Sequence, residues 1–225
     1  MVTRLSPEDH ARVAAAVSAA EGSSNGEIVT IATDLSDKYH DVALHWAVAV
    51  LIAVLAWFAA FPDCLTWSDE LLFGGWRVAP GPHELLTLLM VLAVLKFTVV
   101  LLILRWMPLR LALTPGATKQ RRVRRRAVEL FKVGAEQKTV GRTGILIYLS
   151  LGERRAEIVA DEAILAVTTP ETWGEAMTVL LADTKVGRPA DGICAAVGLI
   201  GEVLATHFPK TAEDTNEIPD KLIEL

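Results

Sequence analysis

Two long apolar segments constrain the fold of this 225-residue chain more than any other feature. Residues 42–61 contain no Asp, Glu, Lys or Arg, and His45 is their only strongly polar side chain. Residues 85–107 are equally apolar except for Lys96 near the middle and Arg105 near the end. At a rise of about 1.5 Å per residue, each segment covers roughly 30 Å, the thickness of a bilayer core. The sequence therefore predicts two transmembrane helices; the alternative, a pair of buried core helices, fits less well because core helices are usually shorter and amphipathic.

The charges around these segments predict their orientation. The chain is net acidic, with 22 Lys and Arg against 27 Asp and Glu, yet residues 85–126 carry nine basic residues and no acidic one. The predicted outer loop, residues 62–84, carries Arg77 and four acidic residues. Lys and Arg accumulate on the cytoplasmic side of membrane spans. We therefore expect a protein of the bacterial inner membrane, with both chain ends in the cytoplasm and the loop in the periplasm.

The remaining residues predict one α/β domain that the transmembrane hairpin interrupts after its first strand. Residues 1–41 contain a helix that opens at Ser6-Pro7 and a strand, EIVTIAT, which are too few to bury a core. Residues 108–208 supply two more strands, TGILIYLSL and AEIVA, expected to form an antiparallel hairpin. A basic amphipathic helix at 120–138 is expected to cross over between the first two strands and make them parallel. Residues 209–225 form a polar C-terminal tail.

The last predicted helix, residues 191–208, is apolar enough to resemble a third span. Its apolar stretch is only 17 residues long and contains Glu202 and His207, whereas a span needs about 20 apolar residues. We therefore expect this helix to be buried against the sheet. The two remaining spans are an even number, which keeps both halves of the domain on one side of the membrane.

The soluble part resembles the TPM domain family in the order of its sequence blocks. The similar blocks are LSPEDHARVAAAVSAAE, the strand GEIVTIA, AVELF followed by RTGILIYLSLGERRAEIVAD, the helix RPADGICAAVGLIGEVLATHFP, and the tail NEIPDKL. The resemblance implies an α/β/α sandwich around a small mixed sheet. It also implies several possible roles, because family members are associated with photosystem II repair, acid phosphatase activity, calcium binding through loop carboxylates, and an accessory role at a membrane receptor. The family's Asp-x-Gly loop corresponds here to Asp161-Glu162-Ala163, which lacks the glycine.

Carboxylates that the predicted strand order brings to one sheet edge form a candidate metal site. Glu27, Asp161 and Arg142 are expected at this edge, and Glu162 and Asp191 are candidates to join them. Such carboxylates can hold a divalent cation, which the resemblance implies to be calcium. The alternative is structural: Asp191 caps a helix, Arg142 pairs with Glu27, and Asp161 fixes a turn.

A second candidate site is the basic block that follows the second span. Anionic lipid headgroups would compensate its charge, whereas the alternative is a collar that only fixes the membrane topology. Nucleic acid is not favoured as a partner, because the block lacks interleaved aromatic residues and the rest of the domain is acidic. The candidate anion-binding residues are Arg121, Arg122, Arg124, Arg125, Arg126 and Arg142.

Lys96 and His45 are the polar residues predicted inside the membrane. A lysine at the centre of a span costs about 2.5 to 3.5 kcal/mol, and neither apolar segment contains an acidic residue. Lys96 therefore either faces another protein subunit or reaches the headgroups from a tilted helix.

The chain lacks the common catalytic motifs, including the phosphate-binding, dinucleotide-binding, zinc-protease and serine-hydrolase signatures. No catalytic residue is therefore predicted. We expect an integral membrane accessory or assembly protein that interacts with another membrane protein or with copies of itself. The alternative is a calcium-dependent enzyme, similar to an acid phosphatase, that uses the carboxylates at the sheet edge.

Overall fold

The computed structural model describes residues 5–74, 80–134, 143–211 and 218–225. The chain divides into a sheet unit, Met1–Asp37 with Gly116–Leu225, and a hairpin unit, Lys38–Pro115. In chain order the elements are α1 (Pro7–Glu21), β1 (Glu27–Thr33), α2 (His40–Ala60), α3 (Asp63–Phe73), α4 (Pro82–Ile103), α5 (Met107–Ala112), α6 (Gly116–Gly134), β2 (Gly144–Ser150), β3 (Arg155–Ala160), α7 (Glu162–Leu165), a 3-10 helix (Pro170–Trp173), α8 (Gly174–Lys185), α9 (Pro189–His207) and β4 (Leu222–Glu224).

The first helix begins where its capping residues predict. The Ser6 hydroxyl accepts a hydrogen bond from the Asp9 N–H at 3.1 Å, and the Asp9 carboxylate accepts one from the Ser6 N–H at 2.9 Å. Pro7 occupies the first helical position, where its missing N–H is not needed. The predicted start of α1 is therefore confirmed.

The sheet unit is a mixed α/β structure with a four-stranded sheet in the order β3-β2-β1-β4. β1 pairs in parallel with β2, from Glu27 opposite Gly144 to Thr33 opposite Ser150, and β2 pairs antiparallel with β3. Both pairings confirm the predicted strand directions.

The structure contains a fourth strand in the segment 209–225, for which the sequence predicts only a polar tail. β4 pairs in parallel with β1, with Thr30 opposite Leu222 and Ala32 opposite Glu224. The Leu225 N–H also donates to the Ala32 carbonyl oxygen at 3.1 Å. A three-residue edge strand has too few residues to show an alternating pattern, so only its contact with β1 identifies it.

Alternate residues of the strands contribute to two separate hydrophobic clusters, as the two-residue period of a strand requires. One cluster joins Ile28 and Ile145 to buried side chains of α1, α8 and α9. The other joins Val29 and Tyr148 to α6, through Val123, Ala127 and Phe131.

The amphipathic pattern of α6 predicts that Val123, Ala127, Val128, Phe131 and Ala135 point inward. The burial of Val123, Ala127 and Phe131 confirms this for three of them, whereas Val128 is half-buried beside a surface groove. Ala135 and the predicted helix end at 135–138 lie outside the described residues.

The hairpin unit contains the two apolar helices predicted from the sequence. α2 and α4 pack against each other and bury residues such as Ala43, Ala47 and Ala93. α4 ends at Ile103, four residues before the predicted end, and α5 follows with Pro108 in its first turn. The predicted outer loop contains a further helix, α3.

Arg110 connects the two ends of the hairpin unit through hydrogen bonds. Its guanidinium donates from Nε to the Leu104 carbonyl oxygen at 2.8 Å and from Nη1 to the Lys38 carbonyl oxygen at 2.7 Å. Arg110 is only 5% exposed. Since Leu104 follows α4 and Lys38 precedes α2, one side chain supplies donors to carbonyl groups beyond the ends of both helices.

We predict that Gly201→Ala destabilises the sheet unit by about 1 to 3 kcal/mol, because overpacking forces neighbouring elements apart. A Cβ at Gly201 would lie 2.7 Å from the Ala20 Cβ, where α9 contacts α1. The measurement is the free energy of opening of β2 amides, from hydrogen exchange of the full chain in detergent.

Gly198→Ala is the matched control on the same helix. A Cβ at Gly198 would meet no atom within 4 Å, so alanine there should stabilise α9 by up to about 1 kcal/mol. Equal effects of the two substitutions would contradict the close α1–α9 contact.

Candidate functional site

Two of the predicted site residues lie together at one edge of the sheet. Glu27 begins β1 opposite Gly144, the first residue of β2. Asp161 follows β3, and its N–H donates to the Gly144 carbonyl oxygen at 2.9 Å. Glu27 and Asp161 are 4% and 5% exposed. The strand order therefore places these two carboxyl groups at the same end of the sheet, on either side of β2, as the sequence predicts.

Both carboxyl groups accept backbone hydrogen bonds at this edge. The Asp161 carboxylate accepts from the Gly144 N–H at 3.2 Å, and the Glu27 carboxylate accepts from the Ile218 N–H at 3.2 Å. Asp161 precedes α7, but its side chain makes no capping hydrogen bond there. The two acidic residues therefore satisfy N–H groups where the strands begin, and Ile218 is held in this way close to the start of β1.

The other members of the predicted metal set are placed differently. Glu162 is exposed in α7. Asp191 lies in the first turn of α9, where it pairs with Arg12 at 2.5 Å and with Arg188 at 3.9 Å. Leu204, thirteen residues further along α9, packs beside Gly26, next to Glu27. At about 1.5 Å per residue, that separates Asp191 from the Glu27 end of the helix by roughly 20 Å.

Asp191 is thus used for ion pairs with α1 and with the start of its own helix, and does not join the sheet-edge carboxylates. Arg142 lies outside the described residues. Among the described residues, no group of three or more His, Cys, Asp or Glu side chains is arranged to hold a metal ion.

Glu21 is a buried carboxyl group that was not among the predicted site residues. It ends α1 and is 6% exposed. One carboxyl oxygen accepts a hydrogen bond from the Ile28 N–H at 2.7 Å, and the buried carboxyl group also lies within reach of the Asp220 carboxyl group. Burial, together with the negative charges of Glu27 and Asp220, raises the pKa of Glu21 to about 8. An acidic residue at a helix C-terminus interacts unfavourably with the helix dipole. This unfavourable position is the sequence feature that distinguishes Glu21 from the other acidic residues of α1.

The predicted basic block forms the exposed side of α6. Arg121, Arg124, Arg125 and Arg126 are exposed, and Arg122 is half-buried. α6 begins at Gly116, four residues earlier than predicted, so these arginines lie beyond its first turn. The unfavourable interaction between their charges and the helix dipole is therefore small.

Two acidic residues partly neutralise this basic surface. Asp37 pairs with Arg122 at 3.2 Å and with Arg125 at 3.3 Å. Glu129 pairs with Arg125 at 3.8 Å and with Arg126 at 3.5 Å. Asp37 is the last residue of the sheet unit before the hairpin unit, so its ion pairs hold that chain end against α6.

The two predicted intramembrane polar residues, Lys96 and His45, are both exposed on the hairpin unit. They lie on helices whose apolar segments are largely uncovered: the buried share is 17% for α2 and 11% for α4. By length and composition, three helices in the described residues could cross a membrane, namely α2, α4 and α9. α9 differs from the other two, because 50% of its apolar segment is buried.

We predict that Glu21→Gln stabilises the sheet unit in a pH-dependent way. The folded-state pKa of about 8 exceeds the ordinary value of 4.5, so folding loses stability as the pH rises from 4.5 to 8, by about 1.4 kcal/mol per pKa unit at most. Glutamine keeps an acceptor for the Ile28 N–H and removes the buried charge. Hydrogen exchange of β2 amides should show the variant matching the wild type near the lower pH and exceeding it in stability above pH 8.

Glu202→Gln is the control for this titration, since Glu202 is exposed on α9. Removal of this exposed charge should change the stability of the sheet unit by less than about 0.5 kcal/mol. A stability difference for Glu21→Gln that is the same at every pH would show that Glu21 keeps an ordinary pKa.

Comparisons with known proteins bear on the fold alone. No known family profile matches the chain, and no curated protein matches it. The chain is similar to a solved structure, the NMR structure of the BA42 protein from the psychrophilic bacterium Bizionia argentinensis, with a TM-score of 0.56 and 15% sequence identity. The match covers 99% of this chain and 97% of that one. At this identity the similarity supports an α/β fold.

Proposed function

We propose that the chain is an integral membrane accessory protein, in which α2 and α4 span the bilayer and bind another membrane protein through the Lys96 side of α4. The observation that carries the proposal is the exposure of Lys96 on a long apolar helix of which only 11% of the apolar segment is buried.

Membrane insertion explains the uncovered surfaces of α2 and α4. Exposed apolar side chains follow both helices, including Ile52 at 61%, Leu86 at 65% and Met90 at 59%. Soluble proteins rarely expose apolar patches of this extent. α9 is not assigned as a span, because residues such as Ile193, Val197 and Ile200 belong to the hydrophobic cluster of the sheet unit.

The strand pairing supports a topology with both chain ends on the same side. β1 precedes the hairpin unit, β2 follows it, and the two strands are neighbours in one sheet. The hairpin unit must therefore return the chain to the side from which it left. The excess of Lys and Arg after α4 makes that side the cytoplasm of a bacterial inner membrane, with the α2–α4 connection in the periplasm.

Charge balance makes a different protein a better partner at Lys96 than a second copy. A lysine inside the bilayer is stabilised by an acidic partner or by water. Residues 42–61 and 85–107 contain no Asp or Glu, so a second hairpin of the same sequence cannot supply a carboxylate at that depth. We therefore assign to the partner an acidic or strongly polar residue within its own span.

The sheet unit is proposed to be a TPM-like domain with the hairpin inserted after its first strand. Three observations support this proposal and the three-layer α/β/α sandwich that it implies. They are the similar sequence blocks, the mixed four-stranded sheet, and the helices that join the hydrophobic clusters on both faces of the sheet. A calcium-dependent phosphatase is not proposed, because no observation at the sheet edge favours it over the structural use of Glu27 and Asp161.

The test is site-specific photo-crosslinking in native membranes. A benzoylphenylalanine at Val99, one turn from Lys96 and 42% exposed, should crosslink to one discrete protein. Lys96→Leu should abolish this adduct and Lys96→Arg should retain it, because arginine preserves the charge.

Val94 provides the matched control position. It is 56% exposed, lies two residues from Lys96 and therefore projects from the opposite side of α4. A crosslinker at Val94 should yield no discrete protein adduct. An adduct at Val99 that persists in Lys96→Leu, or one that contains two copies of this chain, would contradict the proposal.

A further inference from the structure

We propose that the exposed basic side of α6 is a docking surface for an anionic phospholipid bilayer. We define this basic surface by Arg121, Arg124, Arg125 and Lys132, which line one shallow groove together with Val128 and Glu129. The inference concerns the sheet unit and does not depend on a protein partner at Lys96.

The packing of α6 fixes which side of the helix carries the basic surface. Val123, Ala127 and Phe131 recur at four-residue intervals and are 0%, 0% and 5% exposed. They contact the sheet in the same cluster as Leu146 and Tyr148. Positions 121, 125 and 132 fall on the opposite side of an α-helix. Arg124 lies at the border of the buried side, seven residues before Phe131, and its side chain is exposed.

The basic surface carries more positive charge than its own neighbours neutralise. Asp37 and Glu129 pair with Arg122, Arg125 and Arg126. In the part of the chain that the structure describes, Arg121, Arg124 and Lys132 take part in no ion pair. Like charges three and four residues apart repel each other on a helix, so an external anion would stabilise this surface.

The shape of the surface favours a bilayer over a small anion. Its cations extend from Arg121 to Lys132, which is roughly 17 Å along one helix. All of its lining residues belong to α6, so no second element closes around a single phosphate group. A row of cations along one helix matches many headgroups in a plane.

Chain connectivity keeps this surface near the membrane. α6 begins at Gly116, and α4 ends at Ile103. The connecting residues can extend at most about 45 Å. If α4 spans the bilayer, this tether holds the basic surface at a high effective concentration of headgroups, so a modest affinity per residue is sufficient.

The test uses the full chain in nanodiscs that contain either phosphatidylcholine alone or phosphatidylcholine with one third phosphatidylglycerol. Hydrogen exchange of the α6 amides should slow by roughly tenfold or more in the anionic discs, because each basic residue near the surface contributes about fivefold to binding. Exchange of α9 should not change. Molar salt, which shortens the Debye length to about 3 Å, should abolish the difference.

Two matched triple variants distinguish an effect of the basic surface on lipid binding from an effect of net charge. Arg121→Gln with Arg124→Gln and Lys132→Gln should lose most of the lipid-dependent protection. Arg154→Gln with Lys185→Gln and Lys221→Gln removes the same charge at exposed positions outside α6 and should retain it. Unchanged exchange of β2 amides in both variants would show that the sheet unit remains folded.

Three results would overturn the proposal. One is equal α6 exchange in the two kinds of disc, which would leave an acidic protein as the occupant. Another is full protection by glycerol phosphate added to zwitterionic discs, which would indicate a discrete anion site. The third is protection that survives the α6 triple variant. None of these results bears on the crosslinking at Val99, so the two proposals fail independently.

Discussion

The parallel pairing of β1 with β2 is the constraint on which the rest of the structure depends. The hairpin unit, Lys38–Pro115, separates the two strands in the chain, yet all seven residues of β1 are in register with β2. In each unit a polar contact holds the chain where the two units join. In the sheet unit, Asp37 forms an ion pair with α6, and in the hairpin unit, Arg110 donates a hydrogen bond to the Lys38 carbonyl oxygen. A long insertion is therefore accommodated without loss of the sheet.

The acidic residues near the start of β1 show why residue type alone does not identify a site. Glu21, Glu27 and Asp161 each accept a backbone N–H, from Ile28, Ile218 and Gly144 respectively. Buried N–H groups need acceptors where a strand ladder ends, and carboxylates supply them. The carboxyl groups that suggest a cation site, Glu27 and Asp161, are thus hydrogen-bonded to backbone N–H groups at this end of the sheet.

The side chains left for intermolecular contact lie elsewhere in the molecule. On the sheet unit they are the outward cations of α6, and on the hairpin unit they are the apolar sides of α2 and α4 with Lys96 among them. Cations and apolar surface bind lipids and membrane proteins, and this is the physical reason for proposing an interaction protein.

The sequence by itself determined the features that depend on neighbouring residues. Long apolar runs predict α2 and α4, and the Ser6 and Asp9 capping pair predicts the start of α1. A β-branched run predicts β1 and a continuous apolar run predicts β2, because hydrophobic length, capping and propensity act locally. Only the tertiary structure decided the features that depend on distant residues. β4 becomes a strand because Leu222 meets Thr30, Ile218 is held by Glu27 across 191 positions of sequence, and Asp191 is separated from the sheet edge by the length of α9. The burial of Glu21 belongs to this second class, since the free energy of a carboxyl group depends on the groups that fold around it, and no pattern within α1 contains that information.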